Sequence, residues 1–146
     1  MTEQQSDAFV DGERQLGRYT VVILRYNENS KNWTPDVMQL DATVTNFRLR
    51  LRPFQKKYKP ATIPTTYVDH VDKRTIGRYH SVQLRLITGH VLCLMLATGK
   101  LDNLYDDLCA MKLPPPKFSF DDKIARDDIE RLITFFGKMP QPNIQS

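Results

Sequence analysis

The sequence contains few of the residues from which catalytic and metal sites are built. It has only three histidines and two cysteines. His70, His80 and His90 are scattered along the chain, without the spacing of metal ligands or of an HExxH motif. Cys93 and Cys109 lie among apolar residues, and we interpret both as reduced core thiols. The sequence therefore predicts a protein that is not an enzyme and that uses no metal or other cofactor.

Long hydrophobic runs are also missing. No stretch of apolar residues approaches the roughly 18 that a membrane-spanning helix requires. Residues 1–7 are polar and acidic, which is not the pattern of a secretory signal. We therefore expect a cytoplasmic protein whose membrane contact, if it has one, is peripheral rather than integral. The 146 residues and the hydrophobic content of 40% suit one domain with an appendage and a well-formed core.

Positive charge is concentrated in one short stretch. The formal net charge is +4, yet residues 44–59 contain six basic residues and no acidic one. These are Arg48, Arg50, Arg52, Lys56, Lys57 and Lys59. Because guanidinium groups are planar donors for phosphate and lysines are compact point charges, we predict that the six bind an anionic lipid headgroup or an acidic protein surface. The same pattern is also typical of a solvated strand face that has no ligand.

The alternation of apolar and polar residues predicts a run of β-strands. The predicted strands are residues 18–26, 42–51, 63–72, 81–87 and 91–97. Near the end of the second, Phe47, Leu49 and Leu51 alternate with arginines, so the apolar side chains should face the core and the arginines the outer surface. Residues 91–96 are apolar throughout and should be covered on both faces. The tripeptide Thr-Gly-His at 88–90 predicts a tight hairpin before them.

After the last predicted strand, the spacing of apolar residues becomes that of a helix. A helical spacing of apolar residues predicts an amphipathic helix over residues 101–111. Its apolar stripe consists of Leu101, Leu104, Tyr105, Leu108 and Met111. Three consecutive prolines within residues 113–117 then predict a stiff spacer.

A second helix is predicted after the spacer. Asp127 and Glu130 resemble a capping box at its start. Its apolar face consists of Ile129, Leu132, Ile133 and Phe136. We expect this face to pack on the chain's own sheet; alternatively, Leu132, Ile133 and Phe136 bind a protein partner.

These elements predict an α+β fold that is mainly β. We expect an antiparallel sheet with a segregated helix, or a small partly open barrel plugged by its helix, plus the extra C-terminal helix. The predicted organisation is a disordered tail over residues 1–16, a domain over 17–112, and a proline-rich linker with its helix over 113–146.

Four pieces of sequence, taken in order, resemble GRAM domains. DATVTNFRLRL at 41–51 resembles the family's strand with a Thr-Asn-x-Arg-Leu signature, and ATIPTTYVDHV at 61–71 resembles its Ile-Pro segment. Residues 84–96 and 101–111 resemble its last hairpin and closing helix. The resemblance covers residues 17–112. It implies the pleckstrin-homology-like superfold, with two nearly orthogonal sheets closed at one corner by a helix.

Charge, fold and resemblance together predict a non-catalytic binding module. We expect it to dock on an anionic membrane surface, through phosphoinositide or acidic phospholipid, or on a protein partner. One alternative is a protein–protein adaptor that binds no lipid. Another is binding of single-stranded nucleic acid, because Phe47 and Tyr58 beside the basic residues resemble a stacking platform. The nucleic-acid alternative ranks lowest, since the strand alternation places Phe47 on the apolar face.

Overall fold

The computed structural model describes residues 9–27, 30–36, 38–56, 58–96, 99–111 and 122–135. These ranges form strands, two α-helices and one short 3-10 helix. The strands are β1 (Gln15–Asn27), β2 (Asn32–Pro35), β3 (Leu40–Thr45), β4 (Arg48–Pro53), β5 (Ala61–Pro64), β6 (Val68–Ile76), β7 (Tyr79–Leu86) and β8 (Val91–Met95). The helices are the 3-10 helix Thr65–Tyr67, α1 (Leu101–Cys109) and α2 (Asp122–Phe135). The predicted mainly β fold with two helices is confirmed.

One long strand joins the two halves of an open antiparallel sheet. The strand order is β5-β4-β3-β1-β8-β7-β6, and β2 pairs with β1 outside this path. Residues 15–21 of β1 pair with β3, whereas residues 22–24 pair with β8. Because β1 belongs to both halves, their inner faces contribute to a single core.

The core lies between the inner face of the sheet and α1. Leu49 and Leu51 of β4 are buried there, as the strand alternation predicted. On β8, Leu92 and Leu94 join the same core, while Val91 and Cys93 belong to a second cluster. The second cluster also contains Leu24, and Trp33, Ile76, Tyr79 and Met95 pack against it. The apolar strand is therefore covered on both faces, as predicted.

Residues 42–51 form a hairpin rather than the single strand that the alternation predicted. β3 ends at Thr45 and β4 begins at Arg48. The hydroxyl of Thr45 accepts hydrogen bonds from the backbone N–H groups of Phe47 and Arg48, each at 3.1 Å. These local bonds compete with extended structure and allow the chain to reverse. Residues 63–72 are likewise divided, because the 3-10 helix separates β5 from β6.

The segment predicted as a disordered tail over 1–16 is part of the fold from residue 9 onward. β1 begins at Gln15, and the side chain of Glu13 is 0% exposed. Residues 1–8 lie outside the described residues. Polar composition suggested a tail, but Glu13 finds its partner on a strand that is distant in sequence.

Helix α2 covers the outer edge of β5. The N–H of Thr62 donates to the carboxylate of Asp128 at 2.8 Å. Arg131 donates to the backbone oxygens of Lys59 and Pro60, and Ala125 is buried against the core. An exposed edge presents unpaired backbone groups to other strands, so these contacts satisfy and shield it.

The second predicted helix exists, but its predicted start is wrong. α2 begins at Asp122, so Asp127 and Glu130 lie inside it and form no capping box. Ile129 faces the core, as predicted. The predicted proline spacer falls outside the described residues.

Replacing Asp128 by alanine is expected to expose the edge of β5. The Thr62 N–H would lose its acceptor, which costs about 1–3 kcal/mol. Amide hydrogen exchange at Thr62 should therefore accelerate by roughly 5- to 150-fold relative to the core of β4. The variant Asp128→Asn keeps an acceptor oxygen and should preserve most of the protection. Unchanged exchange at Thr62 in Asp128→Ala would refute the role of this carboxylate.

Candidate functional site

The outer face of the first half of the sheet carries a groove of about 450 Å³. The strand register places Arg18 of β1 beside Thr43 of β3, and Thr43 beside Arg50 of β4. In the next row, Asp41 lies opposite Arg52. Because side chains two residues apart on a strand project from the same face, both rows line the groove.

Among the described residues, four cationic side chains from three segments line this groove. They are Arg18 from β1, Arg50 and Arg52 from β4, and Lys56 from the loop after β4. We call this the basic groove. Arg52 and Lys56 are exposed, whereas Arg50 is only 7% exposed and lies deeper. Asp41 is the single acid among the described lining residues, which together carry a net positive charge.

Asp41 holds Arg18 in place. The Nε and Nη2 atoms of Arg18 donate to the two carboxylate oxygens at 2.9 and 2.7 Å. The side chain of Arg18 remains 64% exposed, while that of Asp41 is 11% exposed. The hydrogen bond and the negative charge of Asp41 raise the pKa of Arg18 above its usual value. The pair therefore orients a guanidinium that still reaches solvent.

Two phenylalanines border the cations of the basic groove. Phe9 is 44% exposed and Phe54 is 54% exposed, and both line the groove. The groove thus combines positive charge with exposed apolar area.

Arg48 does not line the groove. The sequence analysis predicted an exposed anion ligand at this position, and the structure corrects that prediction, because the side chain is buried. Its Nε and Nη2 atoms donate to the carboxylate of Glu13 at 2.8 and 3.1 Å. The two side chains are 5% and 0% exposed. The hydroxyl of Thr45 donates to the same carboxylate at 2.6 Å. A buried arginine engaged in this way is a structural ion pair rather than a ligand-binding cation.

Of the remaining predicted site residues, Lys59 is described and does not line the groove. Lys59 is exposed, and its backbone oxygen accepts a hydrogen bond from Arg131 of α2. Lys57 lies outside the described residues. Leu132 and Ile133 belong to α2, but their side chains, like the whole of Phe136, lie outside the described residues. Their role in binding a partner stays a prediction.

Arg18, Asp41, Phe9 and Phe54 were missed by the sequence analysis. The first two lie on strands whose pairing register is not visible in the sequence. Phe9 lay in the predicted tail, and nothing in its sequence context marked it as part of a site. The structure places all four on one surface.

The described part of the chain contains neither a metal-binding cluster nor a membrane-spanning helix. No group of three or more His, Cys, Asp or Glu side chains is placed there to hold a metal ion. Neither of the described helices has the length and apolar character needed to cross a membrane.

Comparison of the chain with models of known protein families gave no match, and a search of curated proteins gave none. Functional conclusions for this protein therefore depend on the geometry and electrostatics of the basic groove.

Proposed function

We propose that the protein is a non-catalytic, pleckstrin-homology-like module that docks on anionic membrane surfaces through the basic groove. The observation that carries the proposal is the union of four cationic side chains and two exposed phenylalanines in one groove. Cations of this kind attract phosphate and carboxylate groups of lipids, and the phenylalanines offer apolar area to the acyl boundary.

The order of elements supports the superfold in this proposal. β1, β3, β4 and β5 form one half of the sheet, and β6, β7 and β8 form the other, with β1 shared between them. α1 follows the last strand and packs against β1, β6 and β7. This arrangement fits the GRAM-like pattern of two sheets closed by a C-terminal helix. A GRAM-like identity remains part of the proposal.

The expected free energy of membrane binding is sufficient for reversible docking. Each basic side chain close to an anionic membrane contributes about 1 kcal/mol, so Arg52 and Lys56 together contribute about 2 kcal/mol, while Asp41 offsets the charge of Arg18. Burying the exposed parts of Phe9 and Phe54 adds about 1 kcal/mol each. The attraction falls when salt screens the charges, because the Debye length shortens to about 8 Å at physiological ionic strength.

Reversing two groove charges is expected to abolish most vesicle binding. The variant Arg52→Glu/Lys56→Glu removes two attractive charges and adds two repulsive ones, so its partition onto phosphatidylserine-containing vesicles should fall by at least about 30-fold. Co-sedimentation at low and physiological salt measures the effect, with neutral phosphatidylcholine vesicles as the reference. Phosphoinositide-containing vesicles in a parallel series test whether one headgroup is preferred.

The matched control is Arg85→Glu/Lys100→Glu. It changes the net charge by the same amount, and both of its residues are exposed and lie away from the basic groove. If this control loses as much binding as the groove variant, attraction is a property of net charge and the groove has no special role. If the wild-type protein does not bind anionic vesicles at all, the membrane proposal fails, and the predicted protein partner becomes the leading hypothesis.

A further inference from the structure

A tight turn at residues 10–13 lies between two residues that line the basic groove, Phe9 and Gln15. The N–H of Glu13 donates to the backbone oxygen of Val10 at 3.0 Å. Gly12 has a φ of 86°, a left-handed conformation that glycine adopts without strain. The turn therefore fixes the direction in which the chain carries Phe9 toward the groove.

The carboxylate of Glu13 holds this turn to the β3–β4 hairpin. It accepts hydrogen bonds from the backbone N–H of Val10 at 2.9 Å, from the Thr45 hydroxyl and from the Arg48 guanidinium. Asn46 adds a second attachment, since its side chain accepts from the N–H of Arg14 and donates to the oxygen of Gly12. The hairpin attached in this way continues into β4, which supplies Arg50 and Arg52 to the groove.

We infer that Glu13 and Arg48 are positioning residues for membrane docking, a role that rests on the proposed function. Neither residue lines the basic groove. Their ion pair connects the turn that carries Phe9 to the strand that carries the groove cations. Phe9 is thereby held beside these cations before any membrane is met. A phenylalanine that is already ordered loses less conformational freedom on binding, which increases affinity.

A double-mutant cycle on the full chain distinguishes positioning from general stability. The proteins are the wild type, Phe9→Ala, Glu13→Gln and the double variant, and the readout is partition onto vesicles of phosphatidylcholine and phosphatidylserine. Phe9→Ala should lower the partition about fivefold, because part of a phenylalanine side chain no longer enters the membrane boundary. Glu13→Gln should lower it by a similar factor alone, but by less than about twofold when Phe9 is already alanine.

The other outcomes overturn the inference, and they do so in distinguishable ways. If Glu13→Gln lowers the vesicle partition equally in the wild type and in Phe9→Ala, the Glu13–Arg48 pair acts on the groove or the fold as a whole. If it does not lower the partition of the wild type, the pair does not position Phe9. An unaffected Phe9→Ala, alongside strongly reduced binding by Arg52→Glu/Lys56→Glu, would reject the positioning role and leave the proposed function intact. Insensitivity of all variants, the groove pair included, would reject both.

Two further variants supply a substitute for Glu13→Gln and a control for the loss of an exposed apolar side chain. If Glu13→Gln fails to fold by circular dichroism, Asn46→Ala takes its place, because it releases the same turn without unpairing the buried charges. The same non-additivity with Phe9→Ala is then expected. Ile87→Ala removes an apolar side chain that is 57% exposed elsewhere on the surface, and it should leave the partition unchanged.

Discussion

Replacing Arg48 by alanine is expected to lower the free energy of unfolding by about 3–5 kcal/mol. The side chain of Glu13 is 0% exposed, so the change would leave a buried carboxylate without its cation. Taking an ion out of water is costly, and only a partner of good geometry offsets this cost. The remaining donors, Val10 N–H and the Thr45 hydroxyl, cannot supply the missing positive charge. Urea unfolding followed by circular dichroism measures the difference.

The matched control for this prediction is Arg52→Ala. Arg52 lies four residues further along the same strand and is exposed, so its loss should change stability by no more than about 1 kcal/mol. A double variant in which Glu13 and Arg48 are both replaced by apolar residues should recover much of the lost stability, because neither charge is then left alone. Equal effects of Arg48→Ala and Arg52→Ala would contradict the structural role of the ion pair.

Replacing Leu104 by alanine is expected to cost about 2–5 kcal/mol of stability. Leu104 is 0% exposed and belongs to the core between α1 and the sheet. The change removes buried methyl groups and leaves a cavity that the closely packed strands beneath it cannot fill. Loss of α1 docking should also increase hydrogen exchange along β1 and β7, against which α1 packs.

Leu101→Ala is the matched control for Leu104→Ala. The two leucines belong to the same helical stripe in the sequence, but Leu101 is only partly buried. Its replacement should cost about 1 kcal/mol, because less of its surface is removed from water on folding. Comparable losses from both variants, measured by thermal or urea unfolding, would show that α1 does not sit on the sheet as described.

Much of the fold could be predicted from local patterns. The period of two identified the strands that contain Leu49 and Leu84, and a continuous apolar run identified the strand that contains Leu94. The helical period identified α1 with its buried residues Leu104 and Leu108. These predictions succeeded because each element must turn its apolar face to a core, and that requirement is written in neighbouring residues. The hairpin at Thr45 was missed because side-chain bonds to the turn, rather than periodicity, decide where the strand stops.

The candidate site was less accessible to sequence analysis. Proximity in sequence placed six cations in one predicted basic patch, and three of them, Arg50, Arg52 and Lys56, line the groove. Arg18 lay outside that predicted patch, yet it joins the groove because β1 and β4 both pair with β3. Arg48 does not join them, because Glu13 reaches it from a distant part of the chain.

The sequence by itself determined the strand and helix content, the faces that enter the core and the location of most of the positive charge. Each of these follows from residues that are neighbours along the chain. Only the tertiary structure decided which arginines line the groove, because strand register brings Arg18 to it and a long-range ion pair holds Arg48 in the interior. Burial sets the energy of a charge, and burial is a property of the packed molecule rather than of any short segment.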